Sequence, residues 1–314
     1  MLASIGASRA QGKQSPVLIG FLHFGSRDSN AHLLAAFKDG LSALGWKEGT
    51  HVLIEERWAN GRMDALQTMA AELAARKPAL VVATSAQTVA AATRAAAQVP
   101  VVQATGTDPV AAGFAASLAR PGGMVTGLSN LHVDVTEKLL ELLLAATPKL
   151  RRVGFLTDSN NVNHATYMIA ARRAVERHSV EGRYAEVERK EQIEPAIARL
   201  TTEGVQGVVV LGGVLFGSER QRIVKLALAR RWPVIATARA FAEDGALLSY
   251  GVDITANYRR AAYYVDRILK GTRPGDLPIE QPTKLELVIN GKTARLLGIT
   301  IAQALMLQAD KVIE

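Results

Sequence analysis

The sequence predicts an α/β protein with two lobes, each built on a doubly wound parallel sheet, joined by a multi-strand hinge. Short apolar runs of strand length alternate with segments of helical periodicity, which is typical of βα units. This alternation pauses near residue 130 and then restarts. The chain has 314 residues, enough for two domains with sizeable cores or one large one. Two runs of similar size favour two sheets, each with helices on both faces.

The first run predicts five strands, at 17–22, 51–55, 79–83, 99–103 and 125–128. Leu33, Phe37 and Leu41 recur at helical spacing after the first strand, and helices are also expected at 63–76, 86–97 and about 134–146. Asp108 as N-cap and Pro109 at the first helical position predict a further helix, closed by 120–123.

The second run predicts strands at 152–157, 181–187, 207–211, 233–236 and 246–250. Helices are expected between them at 163–178, 191–203 and 219–231. A helix over 254–270 ends at Gly271, a strand follows at 285–289, and two short helices finish the chain.

Composition excludes several classes of protein. Hydrophobic residues make up 48% of the chain and charged residues 21%, too apolar for disorder. The net charge of +8 is carried by scattered residues and isolated doublets such as Arg151-Arg152, which predicts a solvated surface and no nucleic-acid partner. The absence of Cys excludes disulfides, thiol catalysis and zinc–thiolate sites. No apolar run reaches the ~18–20 residues that span a bilayer.

Catalytic signatures are also missing. The sequence contains no GxxxxGK[ST], GxGxxG, GxSxG or HExxH motif. Its six His residues never pair at helical metal-ligand spacing. We therefore expect no metal, no cofactor and no catalytic residue, and a binding protein is favoured over a hydrolase.

Polar loops at the carboxyl ends of the strands are the predicted binding site, since ligands of such sheets bind there. The loop over 23–30 includes Phe24 and Ser26. Thr84, Ser85, Thr105 and Thr107 sit at two adjacent strand-to-helix turns, where a ligand carboxylate would find N–H groups and hydroxyls. The same four residues could equally be helix caps.

Other loop residues would recognise the rest of a solute. Asp108, Asp158 and Glu243 are possible partners for an ammonium group, with Asp108 more simply a cap before Pro109. Amide contacts are expected from Asn160, Asn161 and Asn163, and Arg239 could pair with a carboxylate or bridge the lobes. Phe24, Phe216, Phe241 and Tyr250 end predicted strands, and two or more of them in the cleft would favour an aromatic or large apolar solute.

Three long stretches carry a family resemblance. They are AAFKDGLSALGWKEGTHVLIEERWANG (35–61), TGTDPVAAGFAASLARPGGMVTGLS (105–129) and the segment from LLSYGVDITANYRR to KLELVINGKTARLLGI (247–299). The chain resembles, from about 17 to 314, the substrate-binding proteins of ABC transporters, in the group that contains tryptophan- and tyrosine-importer components.

The resemblance implies a type I periplasmic-binding-protein fold with three crossovers. Residues 17–129 plus 254–281 would form the N-terminal lobe, and 130–253 plus 282–314 the C-terminal lobe. Residues 1–16 would be a signal-peptide end or tail, with small residues at Ser8 and Ala10 before a cut at Gln11. Without a lipid-modified Cys, the protein is expected to be soluble in the periplasm.

The implied function is capture of a small solute, an amino acid or related carboxylate, and delivery to a membrane permease by a monomer without chemical turnover. Two alternatives remain open from the sequence. One is the effector-binding part of a transcription regulator, disfavoured because only 16 residues precede Val17. The other is a cytosolic doubly wound enzyme.

Overall fold

Two sheets organise the molecule, and the computed structural model describes residues 15–106, 108–129, 135–161, 163–281 and 285–314. The first run contains β1 (Val17–His23), α1 (Arg27–Ala43), β2 (Val52–Trp58), α2 (Met63–Ala75), β3 (Leu80–Ala83), α3 (Ala86–Ala95), β4 (Val101–Gln103) and β5 (Val125–Gly127). These strands form a parallel sheet of order β2-β1-β3-β4-β5.

The second run contains α4 (Val135–Ala146), β6 (Arg152–Asp158), α5 (His164–His178), β7 (Glu181–Val187), α6 (Ile193–Thr202), β8 (Gly207–Val210), α7 (Val214–Ser218), α8 (Arg220–Leu228), β9 (Val234–Ala236), α9 (Arg239–Glu243) and β10 (Leu248–Val252). The chain ends with α10 (Ile254–Leu269), β11 (Leu285–Asn290), α11 (Gly291–Leu297), α12 (Gln303–Met306) and β12 (Lys311–Ile313). The second sheet has the order β12-β11-β10-β9-β8-β6-β7.

The predicted fold class is confirmed, with two α/β lobes. Central strands are apolar because helices cover both faces of each sheet: Ile19, Phe21 and Leu22 of β1 are fully buried. Helix α10 returns to the first lobe, where Tyr258, Tyr264 and Val265 pack in one core with Phe21 and Phe37. Helix α4 instead packs in the core of the second lobe.

Helices α1 and α10 approach each other closely at Gly40. A Cβ at this position would lie 2.5 Å from the Arg259 carbonyl oxygen and 2.9 Å from the Ala262 Cβ. Farther along the same pair, the Trp46 indole N–H donates to Asp266 Oδ1 at 2.9 Å. Close packing of this kind joins α10 firmly to the first lobe although it follows the whole second run in sequence.

The helix predicted to start at Asp108 does not form, and that prediction is wrong. Asp108 Oδ1 does accept from Val110 N at 2.9 Å, as a cap would. However, Gly113 adopts φ +76°, a left-handed conformation that ends the turn after four residues. The segment continues without regular secondary structure to Gly123.

The second sheet also differs from the all-parallel prediction. Strand β11 runs antiparallel to β10, and the unpredicted β12 adds parallel to β11 at the edge. The sequence also predicts no helix where the five-residue helices α7 and α9 follow β8 and β9. Elements this short carry too little periodicity to be recognised from sequence.

Each sheet has a topological switch point. In the first, β1 lies between β2 and β3, so successive connections leave β1 in opposite directions. In the second, β6 lies between β7 and β8 in the same way. The crevices outside the carboxyl ends of these strands are where a ligand is expected.

Candidate functional site

A cavity of about 190 Å³ lies between the lobes, at both switch points. From the first lobe it is lined by residues at or just after the ends of β1, β3 and β4, including His23, Thr84, Ser85, Gln87 and Thr105. The second lobe contributes Asn161, Tyr167, Gly212, Gly213, Arg220 and Arg239, and the start of α10 contributes Asp253 and Tyr258. Since roughly 10–15 Å³ of such space holds one water molecule, the cavity has room for a small organic solute.

The N-terminus of α3 forms one wall. Ser85 Oγ accepts from Thr88 N at 3.2 Å, while the Thr88 hydroxyl accepts from the backbone N–H groups of Thr84 and Ser85 at 2.8 Å each. This capping box leaves the first-turn N–H groups of Ala86 and Gln87 without an acceptor inside the helix. Both residues line the cavity. The wall therefore combines a helix cap with N–H groups and a positive dipole end available to an anion.

His23 ends β1 on the floor of the first lobe and is 2% exposed. Burial lowers the pKa of His23 to about 3, against a smaller opposing effect of its hydrogen bond with Gly25. The Gly25 N–H donates to His23 Nδ1 at 2.9 Å. The imidazole is therefore neutral at physiological pH, with its proton on Nε2.

Asp158 ends β6 on the opposite side and is also 2% exposed. Its Oδ1 accepts from Asn160 N at 3.0 Å, and burial raises the pKa of the carboxyl to about 6. Beside it, Asn161 Nδ2 donates to the Gly212 carbonyl at 2.7 Å and holds the loop after β8.

The two arginines of the lining are both held by carboxylates. Arg220 Nε lies 2.6 Å from Asp244 Oδ2, and Arg239 pairs with Glu243 at 2.9 Å and Glu286 at 3.2 Å. Their charges are balanced within the second lobe. The two arginines therefore add no net positive charge to the cavity, and a solute there contacts mainly polar and aromatic groups.

Direct hydrogen bonds join the lobes on two sides of the cavity. On one side, Ser29 Oγ donates to the Ser218 carbonyl at 3.1 Å, and Arg220 Nη1 donates to the Ser29 carbonyl at 3.1 Å. On the other, Gln87 Nε2 donates to the Asn160 carbonyl at 3.0 Å. The lobes are thus closed over the cavity.

Five of the residues singled out in the sequence line this cavity: Thr84, Ser85, Thr105, Asn161 and Arg239. Asn160 lies at its edge through the bond to Gln87. Asp158 lies directly behind Gly213, whose hypothetical Cβ would be 2.9 Å from Asp158 Oδ2. Thr107 lies outside the described residues.

The remaining candidates have structural partners elsewhere. Phe24, Phe216 and Phe241 are buried in hydrophobic cores, and Tyr250 packs against the core of the second lobe. Ser26 caps α1, and Asp108 binds N–H groups of its own turn. Asn163 precedes α5, and Glu243 pairs with Arg239.

The aromatic groups that do line the cavity come from helices and from a strand end. They are Tyr167 of α5, Tyr258 of α10, His32 of α1 and the His23 ring, which lies 4.6 Å from the Trp58 ring. The two tyrosines each lie within a helix, so the sequence of the loops gives no sign of them. His23 begins the polar loop over 23–30 that the sequence predicts as part of the site, and its position at the end of β1 is the signal that marks it individually.

Two further findings concern the described part of the chain. It holds no cluster of three or more His, Cys, Asp or Glu side chains arranged to bind a metal ion. None of its helices combines the length and apolar character needed to cross a membrane.

The fold and the cavity define a two-lobed protein of the type I periplasmic-binding class, with a site closed between the lobes. The chain belongs to the family described as ABC transporter substrate binding protein, whose model matches residues 19–313. The resemblance inferred from the sequence is confirmed. This is a family of binding proteins and not of enzymes, which favours the solute-binding interpretation over the two alternatives.

Several relatives are similar over most of the chain. A tyrosine-binding protein of Clostridioides difficile (strain R20291) is 28% identical over 264 residues, which cover 84% of this chain and 75% of that protein. The crystal structure of an ABC domain from Streptococcus pneumoniae in complex with L-Trp is 28% identical, with a TM-score of 0.86 and coverage of 95% and 100% of the two chains. A conserved domain protein from Vibrio cholerae is 25% identical, with a TM-score of 0.87 and the same coverage.

Proposed function

We propose that this protein captures an amino acid with an aromatic side chain between its lobes and delivers it to the permease of an ABC importer. The observation that carries the proposal is the cavity at the two switch points, lined from both lobes and closed by hydrogen bonds on two sides. Membership of the family of ABC transporter substrate binding proteins supports the delivery step.

The N-terminus of α3 is the proposed site for the ligand carboxylate. The N–H groups of Ala86 and Gln87 point out of the first helical turn, and the dipole favours a negative charge there. Hydroxyls of Thr84, Ser85 and Thr105 line the same wall. Backbone N–H groups and hydroxyl-bearing side chains of the first lobe thus line the cavity together.

An aromatic side chain suits the rest of the lining. Tyr167 and Tyr258 face the cavity together with apolar groups of Leu33, Val214 and Ile254. Mostly apolar walls with a few placed polar groups are typical of pockets for such solutes. The ligands named for two relatives, tyrosine and L-Trp, support this class.

Binding would work by population shift and without chemical turnover. A ligand held by both lobes stabilises the closed state, while the segments that cross between the lobes absorb the rotation. We also propose that the protein is exported and acts in the periplasm as a soluble monomer. Fractionation of cells that express the full gene would test the location, since recovery in the cytoplasm would contradict it.

The direct test is a thermal-shift screen against the twenty L-amino acids, followed by calorimetry on the best ligands. L-tryptophan, L-tyrosine or L-phenylalanine is expected to give the largest shift. A ligand at 100 times its Kd adds about 2.7 kcal/mol to the free energy of unfolding. The absence of binding to every amino acid would overturn the proposal.

A charge variant at α3 adds a test of the carboxylate site. Gln87→Glu puts a negative charge at the helix N-terminus, which favours the helix but repels a ligand carboxylate, and it also removes the Nε2 donor that joins the lobes at Asn160. We expect affinity to fall about tenfold or more, with the melting temperature of the free protein maintained. Gln98→Glu is the matched control, since Gln98 is exposed and lies outside the cavity lining. Equal affinity in the two variants would remove α3 from the site.

A further inference from the structure

Asp158 has an unusual environment for an acidic side chain. It is 2% exposed, and its Oδ1 is used by the Asn160 N–H. Its second oxygen, Oδ2, accepts no hydrogen bond from the described residues, and no Lys or Arg pairs with it. A carboxylate buried in this way is costly unless a cation compensates it.

The path from Asp158 to the cavity passes Gly213. This glycine lines the cavity, and a Cβ on it would lie 2.9 Å from Asp158 Oδ2 and 3.0 Å from the Asp158 Cβ. Its backbone is extended, with φ 178°, a conformation that any residue adopts. Glycine is therefore required here by space alone, because any side chain would meet the Asp158 carboxyl group, and this glycine lies between that carboxyl and the cavity.

The titratable neighbours of Asp158 do not neutralise it. From α5, His164 acts on it only at a distance, and the His164 ring is engaged by Thr157 and by Glu186 of β7. Tyr167, also on α5, is a neutral phenol whose pKa burial raises further. The loop after β8 supplies only Gly212 and Gly213 at this point.

We propose that the Asp158 carboxylate binds the α-ammonium group of the ligand and that Gly213 keeps the approach to it open. This rests on the proposed function, in which the first lobe holds the ligand carboxylate at α3. The two charges of one zwitterion are then held by opposite lobes. An amino acid bridges the lobes and favours closure, whereas a carboxylate without an amine binds the first lobe only.

The burial of Asp158 also makes the affinity for an amino acid depend on pH. In the free protein the raised pKa, about 6, means that ionised Asp158 destabilises the fold near neutral pH. A ligand ammonium removes that cost and lowers the carboxyl pKa again. Affinity for an amino acid should then fall as the pH drops below about 6, because the protonated carboxyl no longer attracts a cation.

The test compares two pairs of ligands by calorimetry: L-tryptophan with indole-3-propionate, and L-tyrosine with 3-(4-hydroxyphenyl)propionate. Members of a pair differ by the ammonium group. The wild type should prefer the amino acid, and Asp158→Asn should lose at least about 30-fold in amino-acid affinity while its affinity for the propionate stays within about threefold. Asparagine keeps the acceptor for Asn160 N, so the fold is preserved.

Two further variants complete the experiment. Gly213→Ala should weaken amino-acid binding in the same selective way. Glu186→Gln removes a carboxylate from the same lobe at an exposed position, and it should leave both affinities unchanged. The amino-acid affinity of the wild type should decline from pH 7 to pH 5, and that of Asp158→Asn should not.

The outcomes separate this inference from the proposed function. If Asp158→Asn binds the amino acid as tightly as the wild type, the ammonium site is elsewhere and the proposed function stands. If the wild type binds the propionate as tightly as the amino acid, no ammonium site exists and the protein is a carboxylate-binding protein. If the wild type binds neither kind of ligand, both proposals fail.

Discussion

His23 and Asp158 occupy the same position in the two lobes. Each is the last residue of a seven-residue strand that lies at the switch point of its sheet, β1 in the first lobe and β6 in the second. Each is 2% exposed. The first lobe thus has one buried titratable side chain lining the cavity, the second lobe has one behind the lining residue Gly213, and burial favours the neutral form of both.

These two groups have opposite effects on the pH dependence of stability. Burial lowers the pKa of His23 from 6.5 to about 3, so the unfolded chain binds more protons and His23 destabilises the fold as pH falls through this range. Burial raises the pKa of Asp158 from 3.8 to about 6, so the native chain binds more protons and Asp158 destabilises the fold as pH rises through this range. Between about pH 4 and 6 the two contributions nearly cancel.

Single variants should reveal each contribution. With Asp158→Asn, the free energy of unfolding should rise with pH between 4 and 6 by up to about 1.4 kcal/mol per pH unit more than in the wild type. With His23→Asn, the free energy of unfolding should instead fall with rising pH over the same range, by up to the same amount per pH unit relative to the wild type. Urea unfolding of the ligand-free protein at pH 4, 5, 6 and 7 measures both slopes. Parallel profiles for the wild type and both variants would contradict this assignment.

Gly25 should control closure of the lobes. A Cβ at this position would lie 2.5 Å from Ser218 Oγ in the second lobe and 2.8 Å from Asn30 Nδ2 in the first. Gly25→Ala should therefore hold the lobes apart at the side where Ser29 meets Ser218. We expect a loss of about tenfold in ligand affinity, because closure then costs more free energy, and a larger radius of gyration by small-angle X-ray scattering with ligand present.

A second substitution checks the cause of that loss. Ser218→Gly removes the hydroxyl that the new Cβ would meet, so the double variant Gly25→Ala/Ser218→Gly should regain part of the affinity. If the double variant is no better than Gly25→Ala alone, the loss arises within the first lobe, at Asn30 or His23, and not from contact between the lobes.

Gly40→Ala should destabilise the protein, although replacing a glycine in a helix by alanine usually stabilises it. In a helix interior, Gly→Ala ordinarily stabilises by about 1 kcal/mol. Here the Cβ would lie 2.5 Å from the Arg259 carbonyl oxygen, so α1 and α10 must move apart. Gly40→Ala should lower the free energy of unfolding by about 1–3 kcal/mol, the usual cost of overpacking.

The control for Gly40 lies two residues away on the same helix. Ser42 is exposed, and Ser42→Ala should leave stability unchanged or raise it by a few tenths of a kcal/mol. Thermal and urea unfolding of the two variants measure the difference. A stabilised Gly40→Ala variant would mean that α10 is not packed as tightly against α1 as described.

Much of the secondary structure is evident in the sequence because it is local. Apolar runs such as β1 and β6 are buried on both faces, and the amphipathic spacing of Leu33, Phe37 and Leu41 marks α1. The capping role of Ser85 is local in the same sense, since its partner Thr88 is three residues away. Local rules fail where one residue overrides a signal, as Gly113 does after Asp108 and Pro109.

The sequence by itself determined the two α/β lobes, the family and part of the first wall of the cavity, through patterns that span a few residues and through three long stretches that resemble a known family. Only the tertiary structure decided which polar residues meet. Tyr167 and Tyr258 reach the cavity through the packing of α5 and α10, while Phe24, Phe216 and Phe241 turn into the cores. The direction in which a side chain points depends on sheet order and on contacts between residues far apart in the chain. That is why Asp158 and Gly213, 55 positions apart, become neighbours only in the folded protein.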